Sequence, residues 1–271
     1  LFFSHTKRSI KYLTDCLGSR SLDQYTSADA AHLRDWFVLR GLAIASIKRN
    51  FGSIKAVVNF VILEQGLTCN NPFNGVYLHS DNSSKKRRPI ATNNLKPIQA
   101  KCLELDDDLR HLVSLISDTG MRLSEATGLM KSDINLDCDY PHIALTPYPH
   151  RSLKTLSSER IVPLVGQSLW AAKRIIGTST SVYSFPRYTS SSRCNANSAS
   201  AAINKWIKTV ADSDAVIHGL RHSFRDRLRA VEAPSEVIDQ LGGWSLKTVG
   251  QGYGDGYSVE ILSKWLEKIV I

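Results

Sequence analysis

The chain has 271 residues, of which 42% are hydrophobic, and carries 34 Lys and Arg against 25 Asp and Glu for a formal net charge of +9. That amount of apolar sequence forms one large domain or two smaller ones, and the positive charge favours a polyanionic partner, either nucleic acid or an acidic membrane surface. No apolar run approaches the ~18–20 residues of a membrane-spanning helix, and the N-terminal residues lack the basic region and apolar core of a secretory signal.

The cysteine pattern indicates the redox compartment. The five cysteines are odd in number and widely spaced, which argues against a disulfide framework and against CxxC metal sites. They are Cys16, Cys69, Cys102, Cys138 and Cys194. This pattern fits a reducing cytoplasm, where we expect the chain to act. The first residue is Leu1 and not Met, so we also expect residues to be missing upstream.

Residues 1–80 are predicted to form a helical domain. A first helix follows Ser27 as its N-cap and ends at Gly41. A second helix starts at Ile44 and places apolar residues three or four positions apart until it stops at Gly66. The two amphipathic helices indicate a small bundle with solvated lysines.

Residues 81–97 are predicted to be a basic linker. A block of four cations lies between a small, polar run and two prolines, Pro89 and Pro97, that discourage helix formation. Such a block is either a solvated charge run or a contact to a phosphate backbone. The candidate DNA-binding cations of the linker and of the second helix are Lys48, Arg49, Lys85, Lys86, Arg87 and Arg88.

Residues 98–271 are predicted to form a mixed domain. Apolar residues at helical spacing precede Gly120 and continue over 123–129. Two strand-like runs follow at 142–145 and 161–164, separated by polar turn residues, and helical patterns then return. The predicted fold class is therefore mainly α with a small antiparallel β-sheet.

Four separated segments of this domain carry the residue types that phosphoryl transfer needs. They contain Arg122 and Glu125 after a Gly turn, Lys154 between the two predicted strands, His218 and Arg221 three apart on one helix face, and Trp244 nine positions before Tyr253. Each segment alone is common. The four together, in this order, are specific.

This order resembles the catalytic signature of the tyrosine recombinases, or phage integrases. The signature is an Arg in a TG-x-R-x-x-E segment, a Lys in a β-turn, an H-x-x-R helix, and an LGH- or LGW-like segment before a Tyr. The resemblance covers about residues 97–265, and the N-terminal helices are similar to the family's core-binding domain more loosely. It implies a helical core-binding domain followed by a mixed α+β catalytic domain.

The resemblance also implies a role for each site residue. Tyr253 would be the nucleophile of a 3′-phosphotyrosine intermediate, Arg122 and Arg221 the phosphate clamp, Lys154 the general acid, His218 a phosphate ligand that assists proton transfer, and Glu125 a residue that orients the site or else a surface carboxylate. A Tyr hydroxyl has an ordinary pKa of about 10, so fixed cations would favour its phenolate form. Such a site works without a metal or other cofactor.

Two features depart from the commonest pattern of the family. Trp244 stands where the family often has His, and an indole N–H only donates, so Trp244 orients or packs and does not transfer protons. Tyr253 lies in a Gly-rich stretch that we expect to be mobile without DNA, and Tyr257 is a neighbouring alternative nucleophile.

The functional hypothesis is a site-specific DNA recombinase of a phage or other mobile element. The alternatives are a type IB topoisomerase-like relaxer and a DNA-binding relative without catalysis. The resemblance implies double-stranded attachment sites and a homotetramer on DNA, with accessory DNA-bending or directionality proteins as further partners. Integrases often carry an arm-binding domain upstream, which this sequence leaves open. The apolar segment after Tyr253 is expected to dock on a neighbouring protomer or on its own domain.

Other chemistries fit the sequence less well. His218 and His222 are four apart but lack the adjoining Glu of a zinc protease, and no G-x-G-x-x-G opens a helix after a strand. The phosphate loop of ATP-binding proteins and the G-x-S-x-G elbow of esterases do not occur. We therefore expect neither a metal nor a nucleotide cofactor.

Overall fold

The computed structural model describes residues 2–78, 88–178, 180–244 and 254–271. The chain divides into two compact units, Leu1–Lys86 and Arg87–Ile271. The described residues are mostly helical, with two small antiparallel sheets in the second unit. The predicted fold class is confirmed. None of the described helices is long and apolar enough to cross a bilayer.

The first unit contains three described helices. They are α1 (Phe2–Leu17), α2 (Ser27–Leu39) and α3 (Ile44–Glu64). Thr26, and not Ser27, caps α2, because the Thr26 side chain accepts the Asp29 amide at 3.2 Å while the Asp29 carboxylate accepts the Thr26 amide at 2.9 Å. This reciprocal pair satisfies two amides that the start of a helix leaves without partners.

The core of the first unit forms where the apolar faces of these helices meet. Leu33 and Phe37 of α2 pack with Ile47, Phe51 and Ile54 of α3, all fully or almost fully buried. The predicted face of the second helix is therefore the buried one.

The second unit is built from eight described helices. They are α4 (Thr92–Leu105), α5 (Asp108–Thr119), α6 (Leu123–Thr127), α7 (Gly166–Thr178), α8 (Ala196–Val210), α9 (Ile217–Ala230), α10 (Ser235–Gly242) and α11 (Val259–Glu267). Residues 92–97, which the sequence placed in the linker, are helical. Pro97 lies inside α4, where burial of Leu95 and Ile98 offsets the backbone hydrogen bond that proline cannot donate.

A three-stranded antiparallel sheet lies beside these helices, in the order β1 (Ile134–Asn135), β2 (His142–Leu145) and β3 (Arg160–Pro163). The second predicted strand is shifted by one residue, because β3 begins at Arg160. A further pair, β4 (Thr189–Ser190) and β5 (Arg193–Cys194), precedes α8.

Within the second unit, one apolar cluster joins α9, α10 and α11. Phe224, Leu241, Leu262 and Leu266 are its buried members that matter most for the site. The segment after Tyr253 therefore packs on its own unit in this structure. Phe224 also explains the end of α5, because a Cβ on Gly120, at φ +59°, would overlap its ring.

Candidate active site

Arg122 lies immediately after the turn at Gly120 and precedes the first residue of α6. Its Nη1 donates to Glu125 Oε1 at 2.5 Å and to Ser158 Oγ at 2.9 Å, and its Nη2 donates to the Gly243 carbonyl at 3.2 Å. The side chain is 22% exposed. The guanidinium is thus fixed from three directions and still accessible to a ligand.

Glu125 is a buried carboxylate, 2% exposed, so the alternative of a surface residue does not hold. Its Oε2 accepts the Arg122 amide at 2.9 Å and Arg160 Nη2 at 3.2 Å. Burial alone raises the pKa of Glu125, but the guanidinium groups of Arg160 and Arg122 outweigh it and hold the pKa below its ordinary value. The group is therefore ionised at neutral pH and orients both arginines.

His218 and Arg221 lie on one face of α9. Arg221 is 5% exposed and donates to the carbonyls of Gly120 and Gly242. Burial, with repulsion from Arg122 and Arg160, lowers the pKa of Arg221 to about 9, which leaves it protonated at neutral pH. The His218 ring is half-buried and lies nearly perpendicular to the His222 ring, with 4.9 Å between centroids.

The structure brings Arg122, His218 and Arg221 to one cavity of about 260 Å³. The cavity is also lined by Ser124 of α6 and by Asn197 at the start of α8. Two guanidinium groups, an imidazole and small polar side chains make a suitable environment for a phosphate group, because planar guanidinium donors match phosphate oxygens in pairs.

Lys154 does not line this cavity, but the connection that carries it contacts Arg122. It is exposed, in the connection over 146–159 between β2 and β3. The next residue, Thr155, contacts Ser158 Oγ at 2.9 Å, and Ser158 in turn accepts the bond from Arg122. This connection includes a 3₁₀ turn at Leu156–Ser158.

Trp244 is half-buried and packs on two arginines. The guanidinium carbon of Arg221 lies 4.4 Å from its ring centroid, and that of Arg225 lies 4.6 Å from it. Gly242 makes this packing sterically feasible, because a Cβ there would overlap the indole ring. The arrangement fits the expected packing role of Trp244.

Several predicted residues fall outside the described part of the chain or on the open surface. Tyr253, Lys85, Lys86 and Arg87 lie outside the described residues, as does the glycine-rich stretch up to residue 253. Arg88, Lys48 and Arg49 are exposed. Among the described residues, no group of three or more His, Cys, Asp or Glu is arranged to hold a metal ion.

The sequence did not single out Arg160, which is the first residue of β3. Its side chain is 4% exposed and bonds the Glu125 carboxylate. A strand-like run preceded by an arginine carries no signal that the arginine will turn inward. Two of its partners, the Glu125 carboxylate and the Leu241 carbonyl, lie on other elements.

Comparison with known proteins gives a family match and several solved structures of similar fold. Residues 90–257 match the model of the phage integrase family. The transposon Tn1549 integrase (its residues 82–397) bound to transposon right-end DNA is 17% identical, with 97% of this chain and 91% of that chain covered and a TM-score of 0.67. No curated protein matches.

Lambda integrase has the same fold in two further structures. Its residues 75–356, as a dimer bound to a COC′ core site, are 15% identical, covering 94% of this chain and 90% of that chain with a TM-score of 0.64. Lambda integrase as a tetramer bound to a Holliday junction is 16% identical, covering 91% and 72% with a TM-score of 0.65. At these identities the likeness shows a common fold.

Proposed function

Because the chain belongs to the phage integrase family of tyrosine-type site-specific DNA recombinases, we propose that it breaks and rejoins DNA of a mobile element through a covalent bond to Tyr253. The observation that carries the proposal is the cavity where Arg122, His218 and Arg221 converge. Arg122 precedes α6, and His218 and Arg221 of α9 follow about a hundred positions later; their side chains are the types that neutralise a reacting phosphate.

In the proposed cleavage step, the Tyr253 hydroxyl oxygen attacks the scissile phosphorus. A bond forms between that oxygen and the 3′-phosphate, and the bond from phosphorus to the 5′-oxygen breaks. Arg122 and Arg221 offset the charge that grows on the non-bridging oxygens, and their field favours the phenolate form of Tyr253. The ester keeps the bond energy, so the 5′-hydroxyl of another strand reverses the step without ATP.

Lys154 is the proposed general acid for the departing 5′-oxygen. Its exposure and its place beside the Thr155–Ser158–Arg122 contacts leave the amine able to approach DNA bound at the cavity. His218 is the proposed second phosphate donor. Glu125 and Trp244 act by holding Arg122 and Arg221, and no cofactor is required.

Tyr253 is a better candidate nucleophile than Tyr257. The Tyr257 hydroxyl donates to Glu236 at 3.2 Å, and burial together with that carboxylate raises the pKa of Tyr257. A raised pKa opposes phenolate formation. Gln240 further holds the Tyr257 backbone through both its amide and its carbonyl.

The proposed substrate is a pair of duplex attachment sites. Residues 1–80 and 98–271 would supply the DNA-binding and catalytic parts, and the cations Lys48, Arg49, Lys85, Lys86, Arg87 and Arg88 would follow the phosphate backbone. Lambda integrase forms dimers and tetramers on DNA, and we propose a homotetramer here, with accessory DNA-bending or directionality proteins. Such a reaction would take place at the nucleoid of a bacterial host.

Covalent trapping tests the proposal. A duplex pool with a randomised core, selected on the immobilised chain, supplies a bound sequence. That sequence is then built with a nick a few nucleotides beyond the scissile phosphate, so that the short 5′-hydroxyl fragment diffuses away and a covalent complex accumulates. We expect an adduct that survives denaturation with the wild type and with Tyr257→Phe, and none with Tyr253→Phe.

Each other outcome identifies an alternative. An adduct that persists in Tyr253→Phe and disappears in Tyr257→Phe moves the nucleophile to Tyr257. Binding without an adduct in the wild type supports a DNA-binding relative without catalysis. Relaxation of supercoiled DNA that lacks the selected sequence supports a topoisomerase-like activity.

A further inference from the structure

Three consecutive carbonyls at the end of α10 each accept a hydrogen bond from a different arginine. Arg160 Nε donates to Leu241 at 2.9 Å, Arg221 Nη2 donates to Gly242 at 2.5 Å, and Arg122 Nη2 donates to Gly243 at 3.2 Å. Cations are favourable at a helix C-terminus because the last carbonyls have no partners within the helix. Arg122 and Arg221 line the cavity, and Arg160 does not.

Arg160 makes two further bonds that lead to other parts of the site. Its Nη1 donates to the Ser158 carbonyl at 2.7 Å, in the connection that carries Lys154. Its Nη2 donates at 3.2 Å to Glu125, the carboxylate that pairs with Arg122. The buried Arg160 guanidinium therefore bonds three groups: the Glu125 carboxylate that pairs with Arg122, the connection between β2 and β3 that carries Lys154, and the end of α10 that leads to Trp244.

The space around Arg160 is shaped for this guanidinium. A Cβ on Gly243 would lie 2.7 Å from Arg160 Nη1 and 3.0 Å from the Ser157 carbonyl, and Gly243 has φ +60°. Only glycine combines that backbone conformation with so close an approach. The second Gly of Leu241-Gly242-Gly243-Trp244 thus accommodates Arg160, and the first accommodates the Trp244 ring.

We propose that Arg160 is a positioning residue for strand cleavage, which sets the Lys154 connection and the Gly242–Trp244 segment against Arg122. This inference rests on the proposed recombinase function. A buried charge pair alone is weak evidence for a stabilising role, since its desolvation offsets much of its attraction. A planar fork with three acceptors on three separate segments is suited to fixing geometry.

The test compares three variants on the nicked duplex. Arg160→Met removes the fork, Arg160→Lys keeps the charge, and Arg227→Met removes another buried arginine, which pairs with Asp118 in the same unit but bonds none of the three segments. Cleavage is measured in a single turnover at saturating protein, and the dissociation constant is measured on the same duplex.

We expect Arg160→Met to cleave about 100-fold more slowly at unchanged affinity, because small misplacements of reacting groups have effects of that order. Arg160→Lys is slowed about 10-fold, since one ammonium cannot reach all three acceptors in the geometry of a fork. Arg227→Met loses thermal stability but cleaves at the wild-type rate at a temperature where it is folded.

The pH profile separates positioning from a general loss of structure. In Arg160→Met, buried Glu125 keeps Arg122 beside it and Arg221 nearby but loses one compensating cation, so its pKa rises. As the pH is lowered, the cleavage rate of Arg160→Met then begins to fall at a higher pH than the cleavage rate of the wild type. Arg160→Lys restores the wild-type profile, and adding Glu125→Gln to Arg160→Met removes the new acid-side loss.

The outcomes are distinguishable. Absence of an adduct in the wild type defeats the recombinase function itself. A wild-type adduct with wild-type rates in both Arg160 variants overturns the role of Arg160, and so does an equal slowing by Arg227→Met. If Arg160→Met does not fold, Arg160→Lys decides: slowed cleavage at unchanged affinity supports the role, and an unchanged rate overturns it.

Discussion

Replacing Gly242 with Ala places a methyl group where the ring of Trp244 now lies. The backbone of Gly242 is helical, so the substitution introduces no strain in φ, and an alanine in an open helical position would stabilise by about 0.5–1 kcal/mol. Any loss in the free energy of unfolding must therefore come from displacement of the Trp244 indole. That ring lies 4.4 Å from Arg221 and 4.6 Å from Arg225.

The magnitude follows from two contributions. Forcing a ring out of a packed site costs about 1–3 kcal/mol, and each lost cation–π contact costs about 0.5–1 kcal/mol at a half-exposed position. After the helical gain is subtracted, Gly242→Ala should lower the free energy of unfolding by about 1–4 kcal/mol. Urea denaturation followed by circular dichroism measures this change.

A double-mutant cycle isolates the cause. In a Trp244→Ala background the ring is absent, so Gly242→Ala should cost little or should stabilise slightly. Gly177→Ala is the matched control, because Gly177 lies in α7 with open space around the added Cβ. A full loss of stability that persists without Trp244, or a neutral Gly242→Ala, would refute the reasoning.

Two further predictions follow from the same kind of contact. Arg122→Lys keeps the charge, but a lysine ammonium cannot bond Ser158 and Gly243 at the same time. The rate of cleavage on the nicked duplex should therefore fall about 10²–10³-fold, with the affinity for the duplex nearly unchanged. An equal fall in affinity would contradict this prediction. Thr26→Ala removes the cap of α2 and should cost about 1 kcal/mol in urea denaturation. Backbone and side-chain bonds from Thr26 lower the pKa of Asp29, so the contribution of the bond from the Thr26 hydroxyl to the Asp29 carboxylate is present above the ordinary carboxyl pKa and is lost as pH falls through the lowered pKa of the folded state. An effect of Thr26→Ala that stays the same once Asp29 is protonated would argue against that bond, because the cap bond from the Asp29 amide persists at every pH.

The elements that could be predicted from sequence are those with a local cause. The apolar periodicity after Ile44 gave α3, and the run His142–Leu145 gave β2, because each pattern is set by neighbours along the chain. Pro97 misled the linker prediction, since burial of α4 in the core outweighs a local preference against helix. Arg160 was missed for the same reason, because its partners Glu125 and Leu241 lie 35 and 81 positions away along the chain.

From the sequence, the site residues could be predicted only as residue types in a particular order along the chain. The contacts by which these residues hold one another in place could not be predicted. For Glu125 the sequence left a surface carboxylate open as the alternative to an orienting role, yet the side chain is 2% exposed, because Arg122 and Arg160 together compensate its burial. Sequence reports which residues are ionisable. It does not report which of them become buried together.

The bonds between arginines and carbonyls also bear on how the site handles a phosphate. Each guanidinium has five N–H donors; Arg221 gives two to the carbonyls of Gly120 and Gly242, and Arg122 is bound by Glu125, Ser158 and Gly243. The protein thus fixes both side chains before any ligand arrives. A phosphate in the cavity then meets donors that do not need to reorganise, and electrostatic catalysis depends on such preorganisation. The same bonds fix the end of α10, so the arginines that we propose as phosphate ligands also hold the residues from which the chain continues toward Tyr253.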